Sequence, residues 1–292
     1  MVAQPAVQTA AVDSHSAQDG ARIPALTRRE AGGMSAEELE RFIALIETLS
    51  GDDWQQPTAC TLWTVRDVIA HQGAHVQGFT GLGRFLGQLN PARLRPYRQR
   101  GMNALDAWNQ SQVDLRRDLA PEALVAEIRD AAQASLAGRD RIPGVLRAIT
   151  LPLPGFDQPR SFGYLFDVIY TRDMWMHRLD ISRATGRQMP LDAAHDGRTV
   201  ALIVRDLALK AQRDLKGRSA LLDLAGAAGG RYRIGGAGQP EAVISMDVLD
   251  FCVLTSGRST AADALASGQV RLSGDTEFGR SVVAYCENRV LF

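Results

Sequence analysis

Cysteine is scarce in this chain of 292 residues: Cys60, Cys252 and Cys286 are all there is. Three thiols so placed build no disulfide framework, and no pair has metal-ligand spacing. That economy fits a reducing cytoplasm. Lysine is scarcer still, with only Lys210 and Lys216, so nearly all of the 33 basic residues are arginine. Neither sign of charge is in excess, since 33 acidic residues balance them. A general polyanion-binding surface is thereby excluded, and no basic stripe with interleaved aromatics marks nucleic-acid recognition. No apolar run approaches the roughly 18 residues of a membrane span. The opening MVAQPAVQTAAVDSHSAQDG lacks the basic start and apolar core of a secretory signal. Residues 1–25 are expected to be a disordered tail.

What is present is ordinary globular material, 45% apolar and 23% charged, long enough for two domains. Helical periodicity dominates as far as Pro190. Ser35 and Glu38 have capping-box spacing, and Leu39, Phe42, Ile43, Ile46 and Leu49 follow on one face before Gly51. A second helix starts at Thr64 and carries Val65, Val68, Ile69, Val76 and Phe79. The Gly-, Pro- and Arg-rich stretch 81–97 has no clear period. A third helix is expected over 104–118, with Leu105, Trp108 and Leu115 inward. A fourth runs from Pro121 to just before Gly138. After a proline-rich loop at 150–160, one long buried helix spans about 161–184, closed by Gly186. The pattern changes after Pro190: a helix over 192–214, strands at 231–234 and 242–246, two short helices (the second starting at Ser259), a strand at VRLSGD and a terminal helix. The fold class is therefore α+β, a helical bundle over 26–190 followed by a small α+β domain over 191–292.

Of five histidines, His15 lies in the tail. Asp173 and His177 stand four residues apart on the long helix, which puts them one turn apart and within about 40° of each other. Asp180 shares their stripe. Acids and an imidazole on an apolar stripe must be paired, neutralised or bound to an ion. His71 and His75 repeat the spacing on the second helix. If the two helices pack together, His71, Asp173 and His177 make a three-ligand set with one open position, the layout of a catalytic zinc site, and Asp180 would orient a ligand imidazole. The plainer alternative is a hydrogen-bonded core histidine, with Asp173 paired to Arg172 or Arg178.

Two segments carry a resemblance. PTACTLWTVRDVIAH, ending in His71, and YTRDMWMHRLDI, holding Asp173 and His177, are similar to the paired motifs of the mycothiol-dependent maleylpyruvate isomerase family, whose bundles are DinB-like and bind metal. VLDFCVLTSGRSTAADALASGQVRLSGD resembles the sterol-carrier-like domain that commonly follows the bundle in that family. The likeness covers about 30–292. It implies His71, Asp173 and His177 as ligands of a divalent metal, zinc first, with a mycothiol-like thiol as cosubstrate. It departs from the family pattern in having Asp173 where the isomerases carry Glu, and in adding His75.

The expected activity is isomerisation or thiol transfer on a small anionic electrophile. A metal-bound thiol is a nucleophile at neutral pH. His75 is read as a fourth ligand, a general base or a bystander, the base being its catalytic role, and Arg100 and Arg258 are candidates for the anionic end of the substrate. Cys60 is expected to pack near Trp63. Two other readings are a metal-dependent hydrolase on the same bundle and a non-enzymatic carrier of an apolar ligand. The partners expected are the small substrate and thiol alone, with neither nucleic acid nor membrane; oligomeric state has no signature in the sequence.

Overall fold

The computed structural model describes residues 17–88, 90–152 and 158–292, and the chain divides into two compact units. One comprises Leu26–Pro190 with Leu291–Phe292; the other comprises Leu191–Val290 with residues 17–25.

That N-terminal piece corrects the expectation of a tail at 17–25. Strand β1 (Gln18–Asp19) runs parallel to a strand of the second unit, and a single 3-10 turn follows at Gly20–Arg22. Ile23 is buried, its carbonyl accepts from Arg205 Nε at 3.0 Å, and Asp19 pairs with Arg233 at 2.6 Å. The sequence hid this because a two-residue strand has no period to read.

The first unit is a bundle. Helix α1 (Arg28–Ile46) starts seven residues earlier than expected, because the working capping box is Thr27 with Glu30. Ser35 and Glu38, which share the same spacing, are buried inside the helix. Helix α2 (Val65–Gly78) is capped by Thr64, as its sequence predicts, with Asp67 returning the bond. The unperiodic stretch holds two short helices, α3 (Leu82–Gln88) and α4 (Pro91–Gln99). Helix α5 (Ala104–Asp114) buries Ala107 and Val113, but Leu115 just past its end is 55% exposed, against expectation.

Helix α6 (Pro121–Arg141) runs straight through Gly138 instead of stopping there. A Cβ at Gly138 would sit 1.8 Å from the Phe79 carbonyl oxygen, so this glycine serves close helix contact and not termination. Helix α7 (Gly144–Ala148) leads to a small antiparallel pair, β2 (Thr150–Leu151) and β3 (Arg160–Ser161). The single long helix expected next is in fact interrupted: α8 (Phe162–Tyr164), a π turn at Leu165–Ile169, then α9 (Tyr170–Ala184). Gly186 follows at φ +65°, a conformation glycine adopts without strain. The bundle core gathers Phe42, Ile46, Val65, Val68, Ile69, Leu124, Ile128 and Ile181.

The second unit opens with α10 (Asp196–Asp214) and a strand the periodicity missed, β4 (Ser219–Ala225). Strands β5 (Gly230–Gly235), β6 (Ala242–Asp247) and β7 (Arg271–Gly274) complete a five-stranded sheet in the order β1-β5-β4-β6-β7. β4 is central, antiparallel to β5 and parallel to β6, with Leu222 opposite Tyr232 and Ile244. Helices α11 (Val248–Thr255), α12 (Ala261–Ala266, capped by Thr260 and not Ser259) and α13 (Thr276–Cys286) follow. The α+β class is as expected.

Candidate metal centre

Helices α2 and α9 bring three imidazoles to one carboxylate. The Nε2 of His71 lies 3.3 Å from Asp173 Oδ2, and the Nδ1 of His75 lies 3.4 Å from the same oxygen. The Nε2 of His177 approaches the other oxygen, Oδ1, at 3.5 Å. The i,i+4 spacings on both helices therefore do what helical geometry requires: each pair stacks one turn apart, and the two stripes face each other.

Around this cluster stand groups that orient it. His177 Nδ1 donates to Asp180 Oδ2 at 2.9 Å, the role its spacing suggested. Cys60 also reaches Asp180, its thiol donating to Oδ2 at 3.6 Å, with the sulfur 4.0 Å from His177 Nδ1. A turn positions that cysteine: Trp63 N donates to the Cys60 carbonyl at 2.7 Å, and the Thr58 hydroxyl donates to the Trp63 carbonyl at 2.8 Å. Gln72 Nε2 donates to Asp173 Oδ2 at 2.6 Å, a partner that no sequence signal singled out. Trp63 covers His71, with ring centroids 4.9 Å apart, and Tyr170 meets His75 at 4.6 Å.

Burial sets the electrostatics. Desolvation first, then repulsion from His75, brings His71 down to about 3 against the pull of Asp173. His71 is thus neutral at physiological pH, the form in which imidazole offers a lone pair. Burial also pulls His177 downward, but the charge of Asp173 and hydrogen bonds with Asp173, Asp180 and Cys60 outweigh it and hold His177 well above the ordinary histidine value. Burial would raise Asp173, yet His177, His71 and His75 together keep its carboxyl well below the usual range.

The donor set fits a divalent cation on three counts. Two ligands at about 2.1 Å from a tetrahedral ion stand about 3.4 Å apart, which the separations of Asp173 from the three imidazoles match better than they match good hydrogen bonds. The Nδ1 of His75, which faces Asp173, is buried and makes no hydrogen bond among the described residues. The His177 ring stands between two carboxyl groups, Asp173 at Nε2 and Asp180 at Nδ1, a place where positive charge is favoured. His71, His75 and Asp173 offer donor atoms all within 4.8 Å of one another, so His75 stands at ligand range and not merely nearby.

The first arginine candidate lies elsewhere in the bundle. Arg100 is the exposed C-cap of α4, its guanidinium 4.7 Å over the Tyr97 ring and its Nε donating to the Pro96 carbonyl; no contact joins it to the cluster. Arg258 belongs to the second unit, where it follows α11, half-buried, and its backbone N–H donates to the Val253 carbonyl at 3.0 Å.

Fold and site together define a class: an imidazole–carboxylate centre in a helical bundle, joined in one chain to a sterol-carrier-like α+β unit. The family model for the mycothiol maleylpyruvate isomerase N-terminal domain matches residues 35–182, and that for the SCP-2 sterol transfer family matches 185–287. The chain belongs to the mycothiol maleylpyruvate isomerase family, a family of enzymes. The crystal structure of the mycothiol-dependent maleylpyruvate isomerase superimposes with a TM-score of 0.54 at 15% identity, covering 85% of this chain and 93% of that one. A mutant of that isomerase gives 0.53 with the same identity and coverage. At such identity the likeness is one of fold. No curated protein matches the chain in sequence.

Proposed function

We propose that this protein is a metal-dependent isomerase that uses a mycothiol-like thiol on a small, anionic, electrophilic substrate. The observation that carries this reading is the convergence of His71, His75 and His177 on the two oxygens of Asp173. His71, Asp173 and His177 would hold the ion, with His75 as a fourth donor or as the base beside it. A divalent cation there lowers the pKa of a bound thiol and so supplies a nucleophile at neutral pH, zinc being the first candidate for such a donor set.

The chain's own residues prepare the site. Asp180, supported by Cys60, occupies Nδ1 of His177 and so turns Nε2 toward Asp173. Gln72 pins one oxygen of Asp173, fixing the carboxylate between the helices. Trp63 and Tyr170 wall the imidazoles with aromatic surface and keep bulk water from them. Family membership supports the thiol and the isomerase chemistry.

The test is elemental analysis of the purified protein together with an isomerase assay on a cis-configured unsaturated diacid, with and without mycothiol. About one metal per chain and strict thiol dependence are expected. A wild-type protein with no stoichiometric metal, or turnover undiminished without thiol, overturns the proposal.

A further inference from the structure

A second feature of the bundle has no part in the metal centre. A cleft of about 300 Å³ opens beside α1, α6 and the segment preceding α9, and Arg28, Arg139, Arg147, Asp140 and Asp167 line it. Arg147 pairs with Asp167, and Arg28 pairs with Asp140 and donates to its carbonyl. Arg139 is different. Its guanidinium donates to the Ser35 hydroxyl and, at 3.0 Å, to the Thr171 hydroxyl, and it forms no ion pair among the described residues. Two of its five N–H groups are thereby used. Three guanidinium groups face two carboxylates, so the cleft holds one surplus positive charge.

That surplus sits where it is costly. Burial draws Arg139 down to about 10, so it remains a cation at neutral pH, opposed by the charge of Asp167, which Arg147 already pairs. The Phe79 ring lies 5.6 Å from the guanidinium. Ser35 contributes the same hydroxyl whose spacing had suggested a helix cap, and here it orients an arginine. The room in the cleft is at the small end of ligand pockets, enough for a small organic molecule. Arg139 also walls a second, narrow cavity of about 20 Å³ that touches His75 and Tyr170, so the cleft adjoins the metal centre through a gap no wider than a water.

We propose that this cleft is a binding site for a small oxyanion, a carboxylate or phosphate group held by Arg139 with Arg28 and Arg147 at its sides. A planar guanidinium with free N–H groups is the natural partner for such an anion. The site works without metal or thiol, so it stands apart from the proposed isomerase activity.

The test is calorimetric titration of succinate and of inorganic phosphate into the full-length protein in a low-chloride buffer. Two variants accompany it. Arg139→Gln removes the cation. Gly32→Leu fills the cleft from α1, where an added Cβ meets nothing within 4 Å, and the substitution favours the helix. Saturable binding of either anion by the wild type, weakened at least tenfold in both variants while metal content stays at the wild-type level, supports the site, and the tighter anion names the headgroup. Absence of saturable binding for both anions, or binding that survives in Gly32→Leu, overturns it.

Discussion

The two units solve the same packing problem with different materials. From α2 and α9 the bundle buries His71, Gln72, His177, Arg178 and Asp180 among its apolar side chains. The sheet of the second unit buries Leu221, Leu222, Ile234 and Ile244 at its centre, and Phe251, Cys252 and Val282 from the helices after it. Burying polar groups is neutral at best unless each is satisfied, whereas burying hydrocarbon stabilises directly. The contrast teaches that the bundle gives up packing stability at one place to keep a reactive centre dry, while the second unit carries no such cost in its sheet core.

That contrast can be broken at either end. The largest expected effect is on the centre itself: His177→Ala should reduce bound metal from about one per chain to near zero and abolish activity, as read by elemental analysis and turnover. Folding of the second unit should survive, because none of its strands depends on that imidazole. Leu222→Ala attacks the other side. It removes a fully buried side chain from the central strand and should cost roughly 2–5 kcal/mol in a denaturant titration. Metal content per folded molecule should remain at the wild-type level; a loss would mean that the centre depends on the packing of the sheet.

A subtler substitution sharpens the comparison. Gln72→Leu keeps the volume and removes the bond to Asp173, which should weaken metal affinity by roughly 10- to 100-fold, measured by competition with a chelator. The smallest effect concerns acid stability. Asp114 is held below the ordinary carboxylate value: burial pushes it up, but hydrogen bonds from Tyr97, Gln110 and Arg117 overcome that. A depressed carboxylate stabilises the fold above its unfolded pKa and loses that contribution as pH falls through the folded value. Asp114→Asn should therefore be less stable than wild type at pH 7 and converge with it toward pH 3, as followed by thermal melting across pH.

Much of the site was legible in the chain. Thr64 announces the start of the helix that carries His71, and the four-residue spacing of Asp173 and His177 puts them on one stripe by helical geometry alone. Asp180 was legible for the same reason. Gln72 was not, because adjacent residues on a helix do not share a face and only the approach of α9 makes it a partner of Asp173. The start of α1 was misplaced because Ser35 and Glu38 have the same spacing as the true caps Thr27 and Glu30; the choice between them depends on what packs against the helix. β4 escaped notice because its near-continuous apolar run has no alternation, the mark of a strand covered on both faces.

The sequence by itself determined the local elements and the stripes they display, since period, caps and breakers act over a few residues: the α2 and α9 stripes, the turn at Gly186, the change of pattern after Pro190. Only the tertiary structure decided which stripes meet. It drew His75 onto Asp173, sent α6 past Gly138 because two backbones touch there, added residues 17–25 to a unit some two hundred residues away, and left Arg139 a half-buried cation with hydroxyls for company. Each of these rests on contacts between residues far apart along the chain, whose energies no local pattern records.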